Sequence, residues 1–376
     1  MVHVLIVTTA HVPGDQRVQE KFAEAFLDAE CRVTWIGPRT HRTTTSTKVK
    51  INYKLTHPNR RRTDRFMHYP ELLRKALETE SIDWIYAPDP DSWIFALVLA
   101  RLKCAKVVLD IHEAYDLVHL KTWLPPFAYQ PGKRLMQFVI RYTLASGDVV
   151  VGVTDEILER FAPNHAMKFV ILNSPLAGAI KNIPNQVNAE RAKKPRVMQG
   201  KFGASRGTPF ACEAISLLAS HGQFPSLVGV DNGETRPGLG EACSHLIADD
   251  QIECHTYMDY ASMLQLTAGC DVGLIDPSTS AIPALPNRLF EFMALGIPVL
   301  VPEEAKGMAD LVQRYRCGLT YTLKSPKSLA EGIHNLTINS SLWTEMSKNG
   351  QRAFQSHLSF ESQLAPLLSR VLLTLK

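Results

Sequence analysis

The chain has 376 residues, 45% hydrophobic and 21% charged, which excludes collagenous, disulfide-scaffold and disordered classes and exceeds one ordinary core. Its 41 Lys and Arg against 37 Asp and Glu leave a net +4. The excess is local: window 39–65 sets Arg39, Arg42, Lys48, Lys50, Lys54, Arg60, Arg61, Arg62 and Arg65 against Asp64, so it carries +8 and the rest −4, which argues against a whole-protein affinity for nucleic acid.

The predicted elements alternate from the start. Residues 4–7 read as a buried strand, and a helix follows from about Asp15, with Val18, Phe22 and Phe26 on one face. Strands are expected at 32–36, 84–87, 107–111, 149–153 and 168–172, with helices over 91–103, 131–146 and 154–162. Residues 173–195, polar and holding Pro175, Pro184 and Pro195, read as a linker. The same grammar then returns, with strands at 196–199, 226–230, 252–256, 272–275 and 298–301 and helices over 208–220, 260–268, 287–295 and 326–337. A helix over 361–375 closes the chain. Alternation of this kind means βαβ units and mostly parallel sheets. The fold class is therefore α/β, with two Rossmann-like doubly wound domains expected to face each other across a cleft. Ligands of such sheets bind beyond the carboxyl ends of the strands.

Seven cysteines, at 31, 104, 212, 243, 254, 270 and 317, form no C-x-x-C pair. That argues against a disulfide framework or zinc site and for a reducing cytosol. The opening Met-Val-His-Val-Leu-Ile-Val lacks the features of a signal peptide. The longest apolar run, 93–100, is far short of a membrane span. A cytoplasmic protein is expected, peripheral at most to the inner face of the cell membrane.

The most informative segment is Pro286-Asn287-Arg288-Leu289-Phe290-Glu291-Phe292-Met293-Ala294-Leu295-Gly296-Ile297-Pro298. It reads as a helix opened by a proline and closed by a glycine cap, apolar nearly all round except at Glu291. A carboxylate in such a helix is costly unless paired; a ribose diol would pair with it, and the helix start offers N–H groups to phosphate. Taken alone, the residues also allow a surface glutamate on a core helix. The segment resembles the donor-site helix of nucleotide-sugar glycosyltransferases with the GT-B fold, most closely the retaining family 4 type. The resemblance implies that Glu291 holds the nucleotide ribose and that Asn287, Arg288 and Leu289 face the diphosphate. This chain departs from the family at Pro283, which replaces a second Glu near the donor sugar within a variant loop, 278–285.

Other segments agree. Gln199-Gly200-Lys201-Phe202-Gly203-Ala204-Ser205-Arg206-Gly207 follows a strand and precedes a helix, and its cations and glycines suit a diphosphate. By resemblance to the family's Gly-Arg … Lys-Gly loop, Lys201 and Arg206 take the cationic places; a solvated basic loop is the plainer alternative. His112, in Asp110-Ile111-His112-Glu113, ends a buried strand; resemblance implies contact with the donor sugar, and the sequence leaves open whether it donates a hydrogen bond or acts as a base. Glu113 and Asp116 are acceptor-side candidates or solvated loop acids. The loop 8–18 lacks G-x-G-x-x-G, which weighs against a dinucleotide dehydrogenase. Gly14 is a donor-binding candidate, Asp15 and Arg17 acceptor-side ones, with Arg17 bridging Glu20 or Glu24 as the alternative. Asn173 resembles the family's hinge Asn. Asp89-Pro90-Asp91 has only the spelling of a metal motif.

Trp123-Leu124-Pro125-Pro126-Phe127-Ala128-Tyr129, followed by Lys133 and Arg134, and the basic window 39–65 suit lipid headgroups or a polyprenyl-phosphate acceptor. No nucleic-acid signature accompanies the charge. The expected domains are 1–172 for the acceptor, 173–355 for the nucleotide-sugar, and a helix over 356–376 returning to the first. The expected activity is retaining transfer from a UDP- or GDP-sugar to a glycan or polyprenyl-linked acceptor in surface polysaccharide or glycoconjugate assembly. No metal or further cofactor is expected. The rivals are a sugar-nucleotide epimerase of the same fold and a non-catalytic transferase-like partner subunit.

Overall fold

Continuous apolar runs with no polar alternation suit strands covered on both faces, and the computed structural model places them so. It describes residues 1–39, 51–58, 64–115, 124–183, 194–231, 241–256, 258–276 and 285–373. The chain divides into two units, Met1–Leu172 with Gln363–Lys376, and Asn173–Ser362.

The first unit holds strands β1 (His3–Val7), β2 (Arg32–Pro38), β3 (Asn52–Thr56), β4 (Trp84–Ala87), β5 (Lys106–Ile111), β6 (Val149–Gly152) and β7 (Lys168–Val170). All pair in parallel, in the order β3-β2-β1-β4-β5-β6-β7. The connections are carried by α1 (Glu24–Asp28), α2 (Tyr69–Leu77), α3 (Pro90–Lys103), α4 (Pro126–Ala145) and α5 (Asp155–Phe161). The winding reverses between β1 and β4, so loops leaving those two strands part to either side of one crevice.

The helix expected from Asp15 starts later, as π-helical turns over Val18–Ala23 that continue into α1. The Asp15 carboxylate accepts the N–H groups of Arg17 and Val18 at 2.9 and 2.8 Å, capping the start at its own position. The basic window is not wholly a loop. β3 crosses it at the edge of the sheet, where Lys54 donates to Thr79 Oγ1 at 2.8 Å. Arg42, Lys48, Lys50, Arg60, Arg61 and Arg62 lie outside the described residues. Residues 126–130, expected as an aromatic loop, form the first turns of α4, because Pro126 fits a helix start.

The second unit repeats the plan with β8 (Arg196–Lys201), β9 (Ser226–Val230), β10 (Ile252–His255), β11 (Val272–Leu274), β12 (Val299–Pro302) and β13 (Gly318–Tyr321). They too are parallel, in the order β10-β9-β8-β11-β12-β13. Its helices are α6 (Thr208–Ser220), α7 (Glu241–Ala248), α8 (Tyr260–Ala268), α9 (Asn287–Leu295), α10 (Lys306–Tyr315), α11 (Pro326–Ile338) and α12 (Ser340–Ala353). The final helix, α13 (Phe360–Leu373), passes into the first unit, where Gln363 Oε1 accepts the Leu172 N–H at 2.7 Å. A short helix, Ala177–Lys181, stands inside the expected linker.

One cysteine expectation is corrected. Cys212 of α6 and Cys243 of α7 are joined in a disulfide, with Cα atoms 5.4 Å apart. The two helices pack together and bury both residues, so the pairing comes from tertiary packing 31 residues apart, which no local spacing announces. Among the described residues no helix is long and apolar enough to cross a membrane.

Candidate functional site

In the first unit the loops after β1, β4 and β5 gather titratable side chains on either side of the winding reversal. Thr8 Oγ1 donates to Asp89 Oδ2 at 2.6 Å and accepts the N–H groups of Ala10 and His11, which fixes the first loop. His11 then lies between two carboxylates, with Nδ1 2.7 Å from Asp15 and Nε2 3.0 Å from Asp89. Burial opposes the imidazolium charge, but Asp89 and Asp15 together lift His11 to about 10. His11 is therefore a cation at neutral pH.

The His112 ring centroid is 5.5 Å from that of His11. Its Nε2 lies 3.3 Å from the Tyr115 hydroxyl, and its Nδ1 is buried with no hydrogen-bond partner among the described residues. Burial lowers its pKa, and the Arg17 and His11 charges push the same way against Asp110 and Asp89. His112 is thus a neutral imidazole, able to donate or accept a hydrogen bond, beside a charged one. Glu113 follows it, half-buried, and Asp116 lies outside the described residues.

Arg17 pairs with Asp110. Its Nε and Nη2 donate to the two carboxylate oxygens at 2.9 and 2.8 Å, and Tyr86 donates to Oδ2 at 2.6 Å. All three residues are buried. This network braces the strand that carries His112. Asp15, as helix cap and partner of His11, is also committed to the loop. Gly14 takes φ 92° and donates its N–H to Gln19 Oε1 at 2.8 Å. Asp89 and Asp91 of the motif-like Asp-Pro-Asp are both held, Asp89 as above and Asp91 by Arg65 at 3.1 Å and Thr9 at 3.2 Å. Donor atoms of His11, Asp89 and His112, and separately of His57, His68 and Glu71, lie within 4.8 Å of one another, close enough for a metal. Protonation of His11 works against the first set.

In the second unit the strand end and the helix start are locked together. Gly200 has φ 97°, beside a bulge in the pairing of β8 with β9. A Cβ at Gly200 would fall 0.8 Å from Arg288 Nη1, so only glycine leaves room for that guanidinium. Arg288 Nη1 donates to the Gln199 carbonyl at 2.6 Å. Burial lowers the Arg288 pKa, against Glu291 and Asp276, which favour its charge. Gln199 Nε2 bonds the Arg206 carbonyl and Thr208 Oγ1, each at 3.0 Å, so the glycine loop is formed in advance. Lys201 and Arg206 are exposed and make no side-chain hydrogen bond or ion pair among the described residues.

Asn287, exposed, opens α9, and the Leu289 N–H bonds the Pro286 carbonyl at 3.0 Å. Leu289 itself is buried, and so is Glu291, one turn beyond Asn287. α9 comes close to the sheet because Gly273 of β11 lies under the Phe292 ring; a Cβ there would be 2.4 Å from it. Gly296, at φ 72°, ends the helix as expected. Pro283 is outside the described residues. The sequence reading missed His11, Gln199 and Thr208. The available signal was position, since His11 follows β1, Gln199 stands near the carboxyl end of β8 and Thr208 starts α6.

Residues 14–171 match the family model described as Glycosyltransferase Family 4, and residues 180–353 that described as Glycosyl transferases group 1. No curated protein matches the chain. Among solved structures, a glycosyltransferase from Rickettsia africae is 13% identical, with TM-score 0.73 over 99% of this chain and 98% of that one. Anabaena HepE in complex with UDP is 17% identical, with TM-score 0.72 over 98% and 100%. Sucrose-phosphate synthase from Thermosynechococcus elongatus is 15% identical, with TM-score 0.70 over 100% of both.

Proposed function

Because the chain belongs to the GT-B nucleotide-sugar glycosyltransferases, we propose that it transfers a sugar, with retention, from a UDP- or GDP-sugar to a hydroxyl of a glycan or polyprenyl-linked acceptor. The pathway would be surface polysaccharide or glycoconjugate assembly. The second unit binds the nucleotide. Glu291 takes the ribose diol, and Lys201, Arg206 and the start of α9 at Asn287–Leu289 take the diphosphate, which leaves as the bond from the anomeric carbon to its oxygen breaks. The acceptor oxygen forms the new bond, and its proton passes to the departing diphosphate. In the first unit His112, neutral and braced through Asp110, hydrogen-bonds the transferring sugar, and Glu113 and Asp116 face the acceptor. Asp15 and Arg17 serve by holding His11 and Asp110, and Gly14 by shaping the loop. Window 39–65 steers an anionic acceptor or membrane.

The observation that carries this reading is the seat of Arg288 on Gly200, which places the exposed cations of the glycine loop beside the helix that buries Glu291. UDP is the first base to try, since HepE is known in complex with UDP, with UDP-glucose, and with UDP and glucose. Calorimetric titration with UDP, GDP and their sugars should give binding to one nucleotide class. Absence of binding to all of them would sink the assignment. Sugar-nucleotide interconversion without an acceptor would favour an epimerase, and donor binding with no turnover a partner subunit.

A further inference from the structure

Among the described residues, an apolar surface left in contact with water lies on two helices of the first unit. On α4 it comprises Phe127, Leu135, Phe138 and Tyr142, exposed by 84, 65, 66 and 71%. Their spacing of 8, 3 and 4 residues puts them on one side of the helix. On α3, Ile94, Val98 and Leu102 recur at four-residue intervals and are exposed as well. The two helices join β4 to β5 and β5 to β6, which are neighbours in the sheet, and they touch one another. Two right-handed crossovers running in the same direction lie on the same face of a sheet. The exposed stripes therefore belong to one outer layer and are not singly scattered surface residues.

Charge decides what covers it. After their first turns α3 and α4 carry Arg101, Lys103, Lys133, Arg134 and Arg141 and no acid. Lys103 is engaged by carbonyls of Leu77 and Thr79, and Arg141 by that of Arg160, which leaves Arg101 and Arg134 as the outward cations, with Lys133 half-buried. The acids Asp155, Glu156 and Glu159 begin on α5, the next helix, and mark the rim. Exposed aromatic and aliphatic side chains among cations with no acid match the interface of an anionic bilayer, where rings enter the headgroup level and each cation meets negative charge.

We propose that the α3–α4 face of the first unit docks on an anionic lipid bilayer. It differs from the strand of window 39–65: β3 is the edge strand three places from β4, whereas α3 and α4 cover β4 to β6, and only α2, which returns from β3 to β4, packs beside α3. Docking here deepens the lipid-linked acceptor reading and rests on it only for its purpose. Vesicle binding needs no turnover, so each can fail without the other.

The test is co-sedimentation of the full chain with vesicles of equal phosphatidylcholine and phosphatidylglycerol, and with vesicles of phosphatidylcholine alone. The wild type should bind the anionic vesicles and not the neutral ones. Phe138→Ser with Tyr142→Ser should weaken binding at least tenfold, and Arg101→Glu with Arg134→Glu about 25-fold or more, at ~5-fold per cation. All should keep wild-type UDP affinity. Ile338→Ser removes a similarly exposed side chain from the second unit and should change nothing. No binding to anionic vesicles would overturn the proposal, as would equal loss in the Ile338 variant. A concentration-dependent dimer abolished by Phe138→Ser, without vesicle binding, would overturn it in favour of a second copy of the chain.

Discussion

Gly200→Ala is the most informative single substitution. The new Cβ would stand 0.8 Å from Arg288 Nη1, on a backbone held at φ 97°. Forcing an L side chain into that region costs about 1–3 kcal/mol. Arg288 is long enough to swing aside, so the fold survives, but its 2.6 Å bond to the Gln199 carbonyl is lost. A charged hydrogen bond of this kind contributes about 1.5–3 kcal/mol, so urea unfolding should show a loss of roughly 3–5 kcal/mol. The displaced guanidinium also disorders the join between loop and helix, and UDP affinity should fall about 30-fold or more. A double-mutant cycle isolates the cause. In an Arg288→Ala background the same substitution should cost only the backbone strain, about 1–3 kcal/mol, leaving a coupling of about 1.5–3 kcal/mol. Equal costs in both backgrounds, or wild-type stability in Gly200→Ala, would refute the reasoning.

Three other expectations rest on different contacts. Lys201→Ala and Arg206→Ala should each weaken UDP binding about 10- to 100-fold while leaving uridine binding unchanged, as calorimetry with both ligands would show. His11 has its pKa raised to about 10 in the folded state. Its pairing therefore stabilises fully below the unfolded value and is lost as pH rises through the window from about 6.5 to about 10. Urea unfolding from pH 6 to pH 10 should show that loss in the wild type and not in His11→Gln. Asp110→Asn leaves Arg17 buried without its carboxylate and should cost about 3–5 kcal/mol in thermal or urea unfolding, where a change under 1 kcal/mol would show the pair to be dispensable.

How much of this was legible in the sequence follows from where each contact is made. Central strands such as β1, β5, β9 and β12 are mostly apolar because both faces are covered, and a run of Val, Leu and Ile shows that locally, with Asp110 the buried exception in β5. The edge strands β3 and β13 are only partly buried, so their mixed sequences carried no such pattern. The helix α9 was readable end to end, from Pro286 to the Gly296 cap, with Glu291 as its anomaly. The reason for Gly200 was not readable, because Arg288 meets it only when α9 packs beside β8. The same holds for Arg17 with Asp110, 93 residues apart, and for His11 with Asp89, joined only through parallel neighbours β1 and β4. Sequence motifs were plainer in the second unit than in the first because its loop and helix are each contiguous.

The central claim is that the second unit holds a nucleotide-sugar and that Glu291 grips its ribose. The direct measurement is release of nucleoside diphosphate from a panel of UDP- and GDP-sugars by the wild type and by Glu291→Ala, with circular dichroism to confirm that both are folded. The account predicts turnover of at least one donor by the wild type and its loss in the variant, together with weaker binding of the parent nucleoside diphosphate. Wild-type turnover in Glu291→Ala would contradict it.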